Sequence, residues 1–390
     1  MPAAYLESDM TQPTIYLDYA AATPLDRRVL AAMQPYFTEQ FYNPSATYQA
    51  ARQVRQALAE ARAQVAHWLG ARPSEIIFTA GGTEANNLAI HGVMRQFPEG
   101  NIVVSGIEHE SVLRPAQGYE YREVAVKPDG RLDLQDLERR IDDHTVLVSI
   151  MYANNEIGTI QPIREIAKVI AGKRQARQGK APLYFHTDAC QAANYLDLHV
   201  ARLGVDLLTI NGGKLYGPKQ SGALYVKAGL ELRPLITGGG QERGLRSGTE
   251  NVAGAVGLAA ALDIAQTMRR AEGERLQTLQ RQFFELLAQA IPIAIVNGSR
   301  QYRLPNNLHV TLPGQDNERL LIQLEEAGIL AAAGSACSAS NQEPSHVLRA
   351  LGLSDAEARA SLRLTMGRGT TAAAVQTVIK ELTRLTAPMH

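Results

Sequence analysis

Lys214 and Asp188 are the two side chains of this 390-residue chain whose types and placement point most directly to chemistry. Each stands just after an apolar run, Asp188 closing PLYFHTD and Lys214 following VDLLTIN inside NGGKLYGP. An amine can condense with an aldehyde, and a carboxylate at a strand end can keep a pyridine nitrogen protonated. Pyridoxal phosphate requires that pair of groups. Either residue alone would read as a surface lysine or a strand-end cap. A third candidate is Cys337, set among Gly334, Ser335, Ala336, Ser338, Ala339 and Ser340. A thiol in so small-residued a segment is expected to be accessible and nucleophilic once ionised. Pro344, just beyond it, is expected to start a helix. Cys190, beside YFHTDA, is expected to pack as a small buried hydrophobe.

The segment GGTEANN, Gly81 to Asn87, follows one apolar run and opens a helical pattern. Its backbone amides and the Thr83 hydroxyl form a ready anion site. It is neither a G-x-x-x-x-G-K-[ST] loop nor a G-x-G-x-x-G turn, which weakens a nucleotide-binding reading. His109, in IEHES, also follows an apolar run, and an imidazole there could stack on a flat ring or relay protons. His186, His309 and His346 read as structural. Arg246 and Arg363 are candidates for binding a carboxylate, or equally for internal ion pairs.

These residues need a scaffold that brings them together. The runs at 75–80, 101–106, 145–152, 182–188 and 205–211 are near-continuously apolar, as in a parallel sheet covered on both faces. Amphipathic helical patterns lie between them: Val54, Leu58, Ala61, Val65 and Trp68 before Gly70, and Ile163, Ile166, Val169 and Ile170 before Gly172. The alternation implies an α/β fold, and ligands in such sheets bind beyond the carboxyl ends of the strands. After Val226 come the glycine-rich stretch Gly238–Asn251, a helical run from Val252 to Ala290, and short strands at AIVNG and NNLHVTL. The expected organisation is a large domain over 15–265 and a smaller α+β domain of 1–14 and 266–390. The basic stretch 173–180 reads as a solvated helix end.

Composition narrows the function classes. Lys and Arg number 39 against 39 Asp and Glu, so the formal charge is zero and a direct nucleic-acid surface is not expected. Two cysteines cannot build a disulfide framework, and no Cys-x-x-Cys pair suggests zinc, so no metal is expected. The first fifteen residues lack signal-peptide or transit character, and no apolar stretch suits a membrane span. A cytoplasmic protein is the expectation.

From Tyr16 to Thr371 the chain resembles the NifS/IscS-like cysteine desulfurases of the class V aminotransferase family. The resemblance rests on YLDYAAATPLD, FTAGGTEANNLAIHG, EHESVL, YANNEIGTIQPI, HTDACQ, GKLYGPKQSGALYV, GGGQERGLRSGTEN and GSACSASNQEPSHVLRALG in that order. It implies a fold type I pyridoxal-phosphate enzyme that converts L-cysteine to L-alanine and leaves the sulfur on Cys337 as a persulfide. By the same resemblance Lys214 is the Schiff-base lysine, Asp188 the partner of the pyridine nitrogen, and His109 the ring-stacking acid/base residue. Gly82, Thr83, Asn211, Gln191 and Asn155 correspond to further cofactor contacts, and Arg363 with Asn155 to the substrate-carboxylate site. Thr249 matches a phosphate ligand that one subunit of a homodimer supplies to the other. The sulfur acceptor would be a protein, an iron–sulfur scaffold or a tRNA-thiolating enzyme. A selenocysteine lyase or aminotransferase of the same family is the nearest alternative; a cofactor-poor scaffold or sulfur-carrier partner is the other. One departure stands out: the family's Ser-x-His-Lys is Asn211-Gly212-Gly213-Lys214 here. Weaker or rearranged phosphate anchoring is therefore expected.

Overall fold

A computed structural model describes residues 14–177, 181–334 and 344–387. Among the described residues, strands run in chain order as β1 (Ile15–Tyr16), β2 (Ile76–Thr79), β3 (Asn101–Ser105), β4 (Glu120–Val124), β5 (Thr145–Ser149) and β6 (Tyr184–Asp188). There follow β7 (Leu207–Asn211), β8 (Gly222–Val226), β9 (Ile295–Val296), β10 (Asn307–Thr311), β11 (Ile329–Leu330) and β12 (Ser361–Thr365).

The central sheet has seven strands in the order β2-β8-β7-β6-β5-β3-β4. From β7 to β4 the pairings are parallel, while β8 runs antiparallel to both β7 and β2. β2, β3, β5, β6 and β7 therefore end at the same edge. Alternate residues feed opposite faces: Ile76 and Phe78 join one apolar core, Ile77 the other. Within this sheet, the two strands that apolar runs did not signal are β8 and the edge strand β4, whose sequence EYREV is mostly exposed.

Helices cover both faces. The helix Gln49–Leu69 turns its apolar stripe inward and stops at Gly70, where φ is 62° and a left-handed C-cap closes it. The helix Ile163–Ala176 runs through Gly172 rather than stopping there. Its end is more ordered than a solvated basic patch: Arg174 pairs with Asp206, and the buried Arg177 donates to the carbonyls of Thr145 and Asp142.

The helix Val252–Ala290, 39 residues long, carries the chain out of this sheet. Its buried side chains from Ala253 to Ala265, among them Leu258 and Leu262, belong to the sheet's core. From Leu276 onward they belong to a second core with Leu17, β10, β12 and the helix Ala372–Thr386. In that region β10 lies between β9 and β12, antiparallel to both, while β1 pairs in parallel with β11. No helix among the described residues is long and apolar enough to cross a membrane.

Candidate active site

A cavity opens at the shared strand edge. The turn after β2 brings Gly82 and Thr83, the turn after β3 brings His109, and the segment after β5 brings Asn155. The end of β6 places Asp188 and Gln191, and the end of β7 places Asn211 and Lys214. Arg363 enters from β12 in the second core.

Lys214 sits in a one-turn 3-10 helix, Gly212–Lys214, whose cap is the Asn211 side chain accepting from Gly213 N at 3.1 Å. Its Nζ donates to the carbonyls of Ala20 at 2.9 Å and Ala21 at 2.5 Å. Gln191 Nε2 donates to the same Ala20 carbonyl at 3.0 Å. Desolvation by burial lowers the ammonium's pKa below its ordinary value, so the neutral amine is more accessible than on a surface lysine.

Asp188 is buried and held on both oxygens: Asn86 Nδ2 reaches Oδ2 at 2.7 Å and Cys190 N reaches Oδ1 at 2.9 Å. Asn86 Nδ2 also donates to Ser111 Oγ at 2.8 Å. Ser111 Oγ in turn lies 2.8 Å from His109 Nδ1, which accepts the Ser111 N–H at 3.1 Å as well. Two donors on Nδ1 leave the ring proton to Nε2. His109 caps the helix Glu110–Ala116, and burial lowers its pKa, favouring the neutral ring.

The helix Gly82–Met94 begins at Gly81, whose φ of 135° suits glycine and which offers no side-chain cap. The first-turn N–H groups and the exposed Thr83 thus remain available to an anion. Gly82 must stay small, since a Cβ there would stand 2.7 Å from Cys190 Sγ. Gly213 has no such constraint, because a Cβ would meet its nearest neighbours at 3.6 Å.

Arg363 is the largest of the fully buried side chains, and it pairs with Asp18 at 2.7 Å. Its Nη1 lies 3.3 Å from the Asn155 carbonyl, and its Nε is buried with no partner among the described residues. A guanidinium so held retains donors for a carboxylate.

Nine of the eleven expected site residues thus meet. Thr249 is exposed and lies outside this cavity. Cys337 lies outside the described residues. Cys190 is not a fully buried filler: it is half-buried and lines the cavity, where burial pushes its thiol pKa well up. Arg246 is taken by an ion pair to Glu84 at 2.9 Å. His186 is a buried crosslink between Ser149 and Thr209. Pro344 precedes the short helix His346–Ala350 rather than starting it, and Ser345 is the cap. Sequence reasoning missed Asn86, Ser111 and Asp18. Asn86 lies in the quoted GGTEANN, three residues after Thr83 and so one helical turn on, which was a usable signal.

The model of the aminotransferase class-V family matches residues 15–378. The chain belongs to that family. Among its class-V relatives, the cysteine desulfurase IscS of Dictyoglomus turgidum is 43% identical over 364 residues, covering 92% of this chain and 90% of the relative. The putative cysteine desulfurase IscS 1 of Bacillus subtilis is 41% identical over 376 residues, covering 94% and 97%. A solved NifS-like protein superposes with a TM-score of 0.88 at 32% identity, over 96% of this chain and 99% of that one. The solved structure described as SspA in complex with cysteine gives a TM-score of 0.79 at 37% identity, over 90% and 99%.

Proposed function

We propose that this chain is a pyridoxal-phosphate-dependent cysteine desulfurase, taking L-cysteine to L-alanine and the sulfur to Cys337. One observation carries the reading: Lys214, Asp188, His109 and Arg363 converge on a single cavity in a chain whose relatives bear that activity in their names.

The donor set fits the cofactor. Lys214 offers an amine with a lowered pKa, Asp188 a fixed carboxylate for the ring nitrogen, and His109 a neutral flat ring. The uncapped helix start at Gly82–Thr83 and the Asn211 side chain suit its phosphate. The missing serine and histidine of the usual motif leave this end with fewer side-chain donors. When bound, the cofactor supplies a ring that stabilises negative charge on the substrate's α-carbon.

The chain's own residues do the rest. Arg363, steadied by Asp18, binds the substrate carboxylate with Asn155 beside it. Lys214 takes the α-proton, and His109 Nε2 relays protons. The Cys337 thiolate forms a bond to the substrate sulfur as the carbon–sulfur bond breaks, its electron pair staying with carbon. Protonation of that carbon gives alanine, and the persulfide remains on Cys337 without any external oxidant.

Cys337 is five residues beyond Ala332, whose N–H and C=O both pair with the Arg363 backbone, at 3.1 and 2.7 Å. Thr249 we assign to the corresponding cavity of a second copy in a homodimer. The persulfide then passes to a protein acceptor, an iron–sulfur scaffold or a tRNA-thiolating enzyme.

The test is to supply cofactor and L-cysteine, then measure alanine and the mass of the Cys337 peptide. The parent should yield both alanine and persulfide, and Cys337→Ala neither at the parent rate. Lys214→Ala should lose the absorbance band of the lysine-bound cofactor. An undiminished band or undiminished alanine in these variants would sink the assignment.

A further inference from the structure

The motif EPSHVLRALG has a use that the catalytic roles leave unassigned. Ser345 caps the helix His346–Ala350, accepting from Leu348 N at 3.3 Å. The same Oγ donates to Glu156 Oε2 at 2.6 Å. One residue on, His346 Nε2 donates to the main-chain carbonyl of Glu108 at 2.9 Å. Glu108 immediately precedes His109, and Glu156 immediately follows Asn155.

These two hydrogen bonds are backed by packing. Val347, Leu348 and Leu351 form a small separate core with Ile107, Met151 and Ile157. Those last three residues flank the same two turns. The turns are themselves stiff: the buried Glu108 carboxyl accepts through Oε1 from Ser105 Oγ at 2.5 Å and from Met151 N at 2.8 Å. Asn154 accepts from the N–H groups of Glu156 and Ile157 at 2.8 and 2.9 Å. A surface helix that only needed covering would bury its apolar side chains without directing two polar ones at the backs of the catalytic turns.

We propose that Ser345 and His346 are positioning residues that fix where the Cys337-bearing segment rejoins the body, registering it on the turns that present His109 and Asn155. The inference rests on the proposed cysteine desulfurase activity and deepens it. Ser345 is eight residues past Cys337, and Ala332 is fixed on the Arg363 strand before it, so one attachment is to a residue of the cavity wall and the other to the chain neighbours of two more, His109 and Asn155. A group delivered on a tether depends on both ends, and a misplacement of about 1 Å can cost on the order of a hundredfold in rate.

The test uses the full chain loaded with cofactor, as parent, Ser345→Ala, Ser345→Thr, His346→Ala and His346→Gln. Two signals are followed after mixing with L-cysteine: the cofactor absorbance change that reports substrate engagement, and single-turnover persulfide on the Cys337 peptide by mass spectrometry. Both alanine variants should slow persulfide formation roughly tenfold or more while the absorbance change keeps its parent rate. Threonine and glutamine, which retain a hydroxyl and an N–H donor, should restore it. Persulfide at the parent rate in both alanine variants overturns the proposal. So does a parallel fall of both signals that threonine and glutamine do not rescue, since that marks damage to the turns themselves. A parent that engages cysteine but never forms the Cys337 persulfide refutes instead the activity on which the inference stands.

Discussion

Asn86 donates to Asp188 Oδ2 at 2.7 Å through the same Nδ2 that reaches Ser111 Oγ at 2.8 Å. One buried amide therefore fixes the carboxylate assigned to the ring nitrogen and, through Ser111, the imidazole assigned to stack on the ring. Neither group is set independently of the other.

Replacing Asn86 by leucine, close in volume but without the donor, should loosen both groups at once. Removing one partner of a buried hydrogen bond costs about 1–3 kcal/mol. The expected outcome is a lower unfolding midpoint in urea, weaker cofactor retention on dialysis, and a shifted absorbance maximum of whatever cofactor remains. An unchanged spectrum with only the midpoint lowered would confine Asn86 to a structural role.

The two cysteines should differ in the folded protein for a physical reason. Burial, with Asp188 adding repulsion, raises the Cys190 thiol pKa well above its ordinary value. Since the thiolate is the reactive species, Cys190 should resist iodoacetamide at about pH 8 in the native protein and react after unfolding. Peptide mass spectrometry of labelled samples decides the matter, and rapid native labelling of Cys190 would contradict the burial argument.

Much of this site is legible in the sequence, because its parts lie directly after apolar runs that become β2, β3, β5, β6 and β7. Such strands are bounded by the abrupt change from Val, Ile and Leu to Gly, Asp or Asn, a local signal. Asp18 is a different case: its bond to Arg363 joins positions 345 residues apart, through a pairing of β12 with the chain's start that no periodicity announces. Edge strand β4 was hidden because only one of its five residues is buried. The helix Ile163–Ala176 passed a glycine because its C-terminal arginines found carbonyl and carboxylate partners further on.

Glu108 gives the protein a pH dependence of known sign. Burial raises its pKa from the ordinary 4.5 to about 8, so the folded protein holds a proton that the unfolded chain has released. That contribution is complete below 4.5 and is lost as pH rises through about 8. The buried His186 and His309, lowered to about 4 and about 3, act the other way, costing stability as pH falls below 6.5. Between 6.5 and about 8, Glu108 is the one of these three that changes stability. Glu108→Gln, which has no proton to lose, should flatten the fall in urea stability across that interval. The slope removed should approach about 1.4 kcal/mol per pH unit. Parallel curves for parent and variant would mean the carboxyl is already ionised.

Glu242 anchors the glycine-rich loop, and its removal should be the costliest of these changes. Its carboxylate takes both Arg62 Nη atoms at 2.6 and 2.7 Å and the Phe78 N–H of β2 at 2.9 Å. Arg62 stacks over the Phe78 ring at 4.7 Å, so the pair is shielded from water on that side. Four residues on, Arg246 pairs with Glu84 in the first turn of the helix assigned to the cofactor phosphate. Breaking a buried ion pair by deleting one partner strands the other charge, which typically costs 3–5 kcal/mol, so Glu242→Ala should lose about that much. Glu242→Gln, which keeps an acceptor for Phe78 N–H, should lose less. Because Arg246 and Thr249 ride on the same loop, the alanine variant should also release cofactor faster on dialysis. A large stability loss with unchanged cofactor retention would separate the loop's anchoring from the phosphate end of the site.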